Sequence, residues 1–283
     1  MKLKNKIGII IASSIAAVSF FLLESHLKNS QLFMPREYKL IKKSVNKLAK
    51  RNDLGEREIG FLITAGAVGS YYAKELGLCH SKPEDPCVYY RFINPFKKHL
   101  NPQIDEIIKL SYLSGAGSAS ASSLGTVHIS QNYFRIADEN EDLIVCTIAH
   151  ELAHIFNFDT FNNSLRLNEE GKGLDEDKRK ELSSKISRQS ETKADLDGQK
   201  MVLKAGYPTN TCIKDMEYFM KIRAVPKETK LNTHESNPKR LSELKDALKT
   251  QLDEISREEP ESTKSRWEYD RNLNLLKFIP TKN

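Results

Sequence analysis

The stretch at residues 146–156, "CTIAHELAHIF", constrains this chain more than any other, because it contains His150, Glu151 and His154 in the order H-E-x-x-H. On an α-helix, residues four apart share a face and lie about 6 Å apart along the axis. His150 and His154 therefore offer two imidazoles to one ion, and Glu151 can reach a water bound to it, the arrangement of zinc hydrolases with Glu as general base. Two ligands do not hold a catalytic ion: such a site needs a third protein ligand and keeps its fourth position for water. The fold must therefore return a third ligand to this helix. The longer run "ENEDLIVCTIAHELAHIFNF" predicts a strong helix, with acidic residues in its first turn where the helix dipole favours them.

Glu191 is the candidate acid. It opens "ETKAD" within "SRQSETKADLDGQKMVLKAG", a predicted helix that stops at Gly206, Tyr207 and Pro208. Asp195 lies one turn further on the same face, where it can accept a hydrogen bond from the far ring nitrogen of a ligand histidine and fix its tautomer. Alone, both acids would be ordinary solvated helix charges; the upstream histidines give them a role. Between the two helices, "NEEGKGLDEDKRKELSSK" is polar and charged with two glycines, which predicts a mobile loop.

The N-terminus, "MKLKNKIGIIIASSIAAVSFFLLESHLKNS", places three lysines before a weakly polar to apolar run at 7–23. Residues 1–24 read as a cleaved secretory signal or an uncleaved anchor, near the lower limit for crossing a bilayer. The positive flank places the rest of the chain outside the cytoplasm. The net charge of +6, from 44 Lys and Arg against 38 Asp and Glu, is spread along the sequence. It lacks the clustered stripe that nucleic-acid binding needs, and is compatible with a weak attraction to anionic lipid. Cys79 and Cys87 flank "HSKPEDP" and are candidates for a local disulfide in an oxidising compartment. Cys146 and Cys212 lie among apolar residues and read as small buried side chains.

Elsewhere, residues 35–50 predict an amphipathic helix, and the apolar segment at 58–77 a buried core helix rather than a second membrane span. "IIKLSYL" reads as a strand, "SGAGSASASSLG" as a small-residue loop or irregular edge, and "TVHIS" as a strand in which Val127 and Ile129 alternate with Thr126 and His128. His128 reads as a partly exposed strand residue rather than a ligand. The main domain is expected over 30–245. Beyond it, 246–283 reads as a charged helical extension packing back through Trp267, Tyr269, Leu273, Leu275 and Leu276.

Taken together, "EDLIVCTIAHELAHI", "ETKADLDGQKMVLKAGY" and "THESNPKRL" resemble the membrane-associated zinc metallopeptidases that include HtpX and the CAAX prenyl proteases, over about residues 107–241. Glu235 follows the histidine of the third element where that family has proline, and the several membrane spans of HtpX are lacking, so the nearer comparison is a single-anchor or periplasmic branch. The resemblance implies a mainly helical α+β fold of zincin type, with a small sheet whose edge strand precedes the metal helix. It implies one zinc ion held by His150, His154 and Glu191, with Glu151 as base. His234 would approach the metal as oxyanion stabiliser or gate, and Arg240 would anchor its loop through Asp195. Thr126, Val127, His128 and Ile129 would form the edge that pairs with an extended substrate. The expected activity is endoproteolysis of extended or misfolded cell-envelope polypeptides, at the bacterial inner membrane or in the periplasm. The alternative is a zinc-containing chaperone or assembly factor without proteolytic activity.

Overall fold

A computed structural model describes residues 34–80, 86–222, 236–258 and 262–281. The class is mixed α+β and mainly helical. Helix α1 (Arg36–Ala49) leads into strand β1 (Ile59–Thr64), helix α2 (Ala67–Glu75), a 3-10 turn (Pro86–Phe92) and helix α3 (Pro102–Leu113). Strands β2 (Ala119–Ala121) and β3 (Thr126–Ser130) precede helices α4 (Gln131–Ile136), α5 (Glu141–Phe156), α6 (Asp159–Glu170), α7 (Glu176–Lys204), α8 (Thr211–Ile222) and α9 (Asn237–Ile255). Strands β4 (Ser265–Asp270) and β5 (Leu275–Pro280) close the described chain.

The strands form one sheet in the order β2-β3-β1-β5-β4. β1 and β3 are parallel, and the other neighbours are antiparallel. One face carries the core: Phe61 and Ile63 of β1, Val127 and Ile129 of β3 and Phe278 of β5 belong to the same buried cluster as Tyr38 and Ile41 of α1 and Ile148 and Leu152 of α5. A smaller cluster of Ala65, Ala73, Cys79, Ile93 and Ile107 gathers α2, α3 and the 3-10 turn.

The structure departs from several sequence expectations. Residues 58–77 form β1 and α2 rather than one helix. "GFLI" lies in a strand between two neighbours, where a continuous apolar run has no helical signature, and Gly66, at φ +73, turns the chain before α2. "IIKLSYL" lies in α3, started by the Asn101 side chain accepting from Gln103 N–H and by Pro102 in the first turn. The stretch at 168–185 is mostly helical. Gly173, at φ +77, makes the turn, and the Asp175 side chain accepts from Lys178 N–H to start α7, so α6 and α7 form a hairpin.

β3 is not the sheet edge. Val127, His128 and Ile129 are flanked by β1 on one side and β2 on the other, and Thr126 is paired with Gly60. The edge is β2, inside the small-residue stretch. The expected boundary at 245–246 falls within α9, and the chain beyond that helix is not a helical extension: β5 pairs with β1, so the C-terminal hairpin is part of the sheet. Tyr269 and Leu276 enter the core and Trp267 packs against it, whereas Leu273 is 64 % exposed at the hairpin turn. Cys79 and Cys87 form the expected disulfide; Cys146 and Cys212 are also bonded, joining α5 to the start of α8. The apolar run at 7–23 and His234 lie outside the described residues; among the described residues no helix is long and apolar enough to cross a membrane.

Tyr38 fastens α1 to the end of the sheet. Its hydroxyl donates to the Asn274 carbonyl at 2.5 Å and accepts from Ile63 N–H at 3.0 Å, while the Asn274 amide donates to the Ile63 carbonyl at 2.6 Å. All three residues are buried. Tyr38→Phe strands the Ile63 donor and is expected to lower stability by about 1–3 kcal/mol, read as a shift in the urea midpoint at unchanged slope; a shift within error would show that the network does not pin the helix.

Candidate metal centre

The site is built where α5 and α7 cross. Ala194 is fully buried, and a Cβ placed on Gly198 would stand 2.9 Å from the His150 backbone nitrogen. Only residues without bulk on this face let the two backbones approach so closely. Glu191 and Asp195 lie on the same side of α7, at four-residue spacing, and so reach the histidines.

His150 Nε2 and His154 Nε2 are 3.0 Å apart. Glu191 Oε2 lies 3.2 Å from the first and Oε1 3.5 Å from the second. The other ring nitrogens are engaged: His150 Nδ1 is 2.9 Å from Asp195 Oδ1, and His154 Nδ1 is 2.7 Å from Asp159 Oδ2. Carboxylates only accept, so each Nδ1 carries a hydrogen, and each Nε2 is directed at the shared centre, holding a proton in the imidazolium and offering a lone pair once that proton leaves. Two facing lone pairs beside a carboxylate repel unless a cation or proton stands among them. A four-coordinate ion with bonds of about 2.1 Å has ligand atoms about 3.4 Å apart, close to the separations found. His150, His154 and Glu191 could thus hold a metal ion, and they are the cluster of this kind among the described residues.

The sequence pattern anticipates Asp195 and misses Asp159. Phe158, at φ 53 in the left-handed region, turns the chain sharply after α5, and Asp159 at the start of α6 comes back under His154. The available signal was an acid a few residues past the second histidine, just beyond the helix. Arg240, in the first turns of α9, grips Asp195 with two bonds of 2.6 Å, Nε to Oδ2 and Nη2 to Oδ1. The anticipated Arg240 to Asp195 contact is present.

Burial opposes ionisation of Asp195, but Arg240 and His150 outweigh it and hold its carboxyl down to about 2. Burial likewise opposes protonation of His150, yet Asp195 and Glu191 push it up to about 10. For His154 burial is again overcome, by Asp159 and Glu191, to about 9, with the nearby His150 charge working against it. The carboxylate shell thus creates a strong demand for positive charge.

Glu151 is buried beside His150 and helps line a cavity of about 290 Å³. Gly117, Ser118 and Ala119, at the sheet edge, form one wall, and the Cys146 to Cys212 bridge and Tyr133 contribute others. Thr126 to Ile129 do not line it. His128 instead stacks edge-on against Phe92 at 5.3 Å, where burial lowers its pKa. No family model, curated protein or solved structure matches the chain.

Two outcomes are expected. Asp195→Asn removes the anion that orients His150 and should weaken metal binding about 10- to 100-fold, measured by competition with a chelating dye; unchanged affinity would remove Asp195 from this role. In the metal-free protein, the histidine contribution to stability is fully present below the unfolded value near 6.5 and is lost as pH rises through about 9 to 10. Metal binding runs the opposite way, because the ligands must be deprotonated. Melting of the chelator-treated protein should therefore fall from pH 7 to pH 10 while metal occupancy rises from acid; a flat melting temperature would contradict the imidazolium and carboxylate cluster.

Proposed function

We propose that this chain is a zinc metalloendopeptidase, similar to HtpX and the CAAX prenyl proteases, that cleaves extended or misfolded segments of bacterial cell-envelope proteins. The observation that carries the reading is the convergence of two Nε2 lone pairs and the Glu191 carboxylate, each histidine backed by its own acid, beside a buried glutamate at a cavity. A zinc ion, when bound, supplies a Lewis acid that polarises a carbonyl and acidifies a water.

The chain's own residues account for the other requirements. Asp195 and Asp159 hold the two imidazoles in the ligating tautomer, and Arg240 keeps Asp195 anionic. Glu151 would take the proton from the attacking water and deliver it to the leaving amine. β2, whose outer side has no strand partner among the described residues, would pair with an extended substrate backbone, and the residues leading into it wall the cavity. Such pairing reads main chain more than side chains, which supports unfolded polypeptide as the substrate class. Both disulfides support an oxidising compartment outside the cytoplasm. A protein that only held polypeptides would have no use for a buried carboxylate beside the metal ligands.

The purified chain is expected to cleave casein, and Glu151→Gln to bind equal zinc while losing about 100- to 10,000-fold in rate. Zinc in both with cleavage in neither would favour the chaperone reading; cleavage undiminished in the variant would remove Glu151 as the base.

A further inference from the structure

One end of the sheet gathers residues that the metal centre does not use. β3 runs parallel to β1 and β5 antiparallel to it, so the β4–β5 turn lies at one end of the sheet and the β2–β3 turn at the other. α1 starts at the first of these ends, where Tyr38 meets Asn274. Two cavities flank the entry of the chain there. One, of about 360 Å³, is lined by Pro35, Asn94, Lys97, Lys98, Arg271 and Asn272; the other, of about 440 Å³, by Met34, Lys42 and Leu273 among others, and Tyr269 borders both.

Lys97, Lys98 and Arg271 are exposed. Between the cavities the hairpin turn presents Leu273, 64 % exposed. The turn is set by Asp270 Oδ1, which accepts from the N–H groups of Asn272 at 2.8 Å and Leu273 at 3.0 Å. Three further acids lie nearby: Glu268 pairs with Arg266, Asp105 accepts from His99 N–H at 3.3 Å, and Glu37 accepts from the neutral Gln131 amide at 3.4 Å. An exposed leucine among three cations therefore surrounds the point where the chain enters the fold, shortly after the apolar run at 7–23 of the sequence.

We propose that this end of the sheet docks on a bilayer containing anionic phospholipid, with Leu273 entering the headgroup region and Lys97, Lys98 and Arg271 meeting lipid phosphates. An anionic surface attracts cations within a Debye length, and a buried apolar side chain adds to the attraction. The proposal does not depend on proteolytic activity.

The test places an environment-sensitive NBD fluorophore on Leu273→Cys or on Leu124→Cys in the full chain. Leu124 is 81 % exposed in the turn at the opposite end of the sheet, and the native cysteines are held in disulfides. The protein is reconstituted in phosphatidylcholine vesicles with or without phosphatidylglycerol, together with doxyl-labelled quencher lipid. Quenching at position 273 is expected to exceed that at 124 several-fold when phosphatidylglycerol is present. The excess should fall away without that lipid and after combined Lys97→Glu, Lys98→Glu and Arg271→Glu substitution, which touches only exposed side chains. Equal quenching at the two positions, or an excess that survives charge reversal or removal of the anionic lipid, overturns the proposal.

Discussion

The contact between the backbones of α5 and α7 at Gly198 and His150 governs the geometry of the whole centre. It places four acidic or basic functional groups on two rigid rods at hydrogen-bond range. A Cβ at position 198 would stand 2.9 Å from the His150 backbone nitrogen, inside van der Waals contact, so the helices would have to move apart and Glu191 and Asp195 would move with α7. The positions of the ligands are thus set by a residue with no chemistry of its own. Helix crossings give a precision that loops do not, because each rod is already fixed by its internal bonds and by packing.

That crossing also decides the electrostatics. The centre is a layered arrangement in which Arg240 holds Asp195, Asp195 holds His150, and Asp159 does the same for His154 from the opposite side. Each acid imposes a tautomer, and each tautomer leaves a lone pair aimed inward. Removing water from around Arg240, Asp195, His150, Asp159, His154 and Glu191 is costly unless the charges compensate. Arg240 compensates one carboxylate, and the other two draw positive charge to the histidines, as protons in the metal-free protein or as a cation that replaces them. A purely structural helix pair would gain nothing from this arrangement, since apolar side chains of similar size would pack at lower cost.

The local pattern of the centre was legible in the sequence because helical periodicity converts spacing into direction. His150 and His154 on one helix, and Glu191 and Asp195 on another, could be placed on their faces without knowing the fold. Asp159 could not, since its approach depends on the left-handed turn at Phe158, a conformation that a phenylalanine does not advertise. The sheet was read poorly for a related reason. β1 is apolar on both faces, so it looks the same as a buried helix, and β2 is three small residues whose strand character comes from pairing with β3. Pairing across long separations, as between β1 and β5 or Cys146 and Cys212, leaves no local trace.

The bridge between Cys146 and Cys212 adds a covalent restraint to the same centre. Cys146 lies one turn before His150 on α5, and Cys212 begins α8 on the other side of the cavity. The closed segment contains α6 and nearly all the ligand-bearing elements, and a separation of 66 residues corresponds in the chain-entropy account to about 4 kcal/mol of restraint on the unfolded chain. The α5 and α7 crossing fixes one side of the centre by packing, and this covalent link fixes the other. The cavity beside Glu151 is therefore bounded by elements that cannot separate independently. Among the described residues β2 has no strand partner on its outer side, so the wall it forms is a sheet edge rather than a packed helix face.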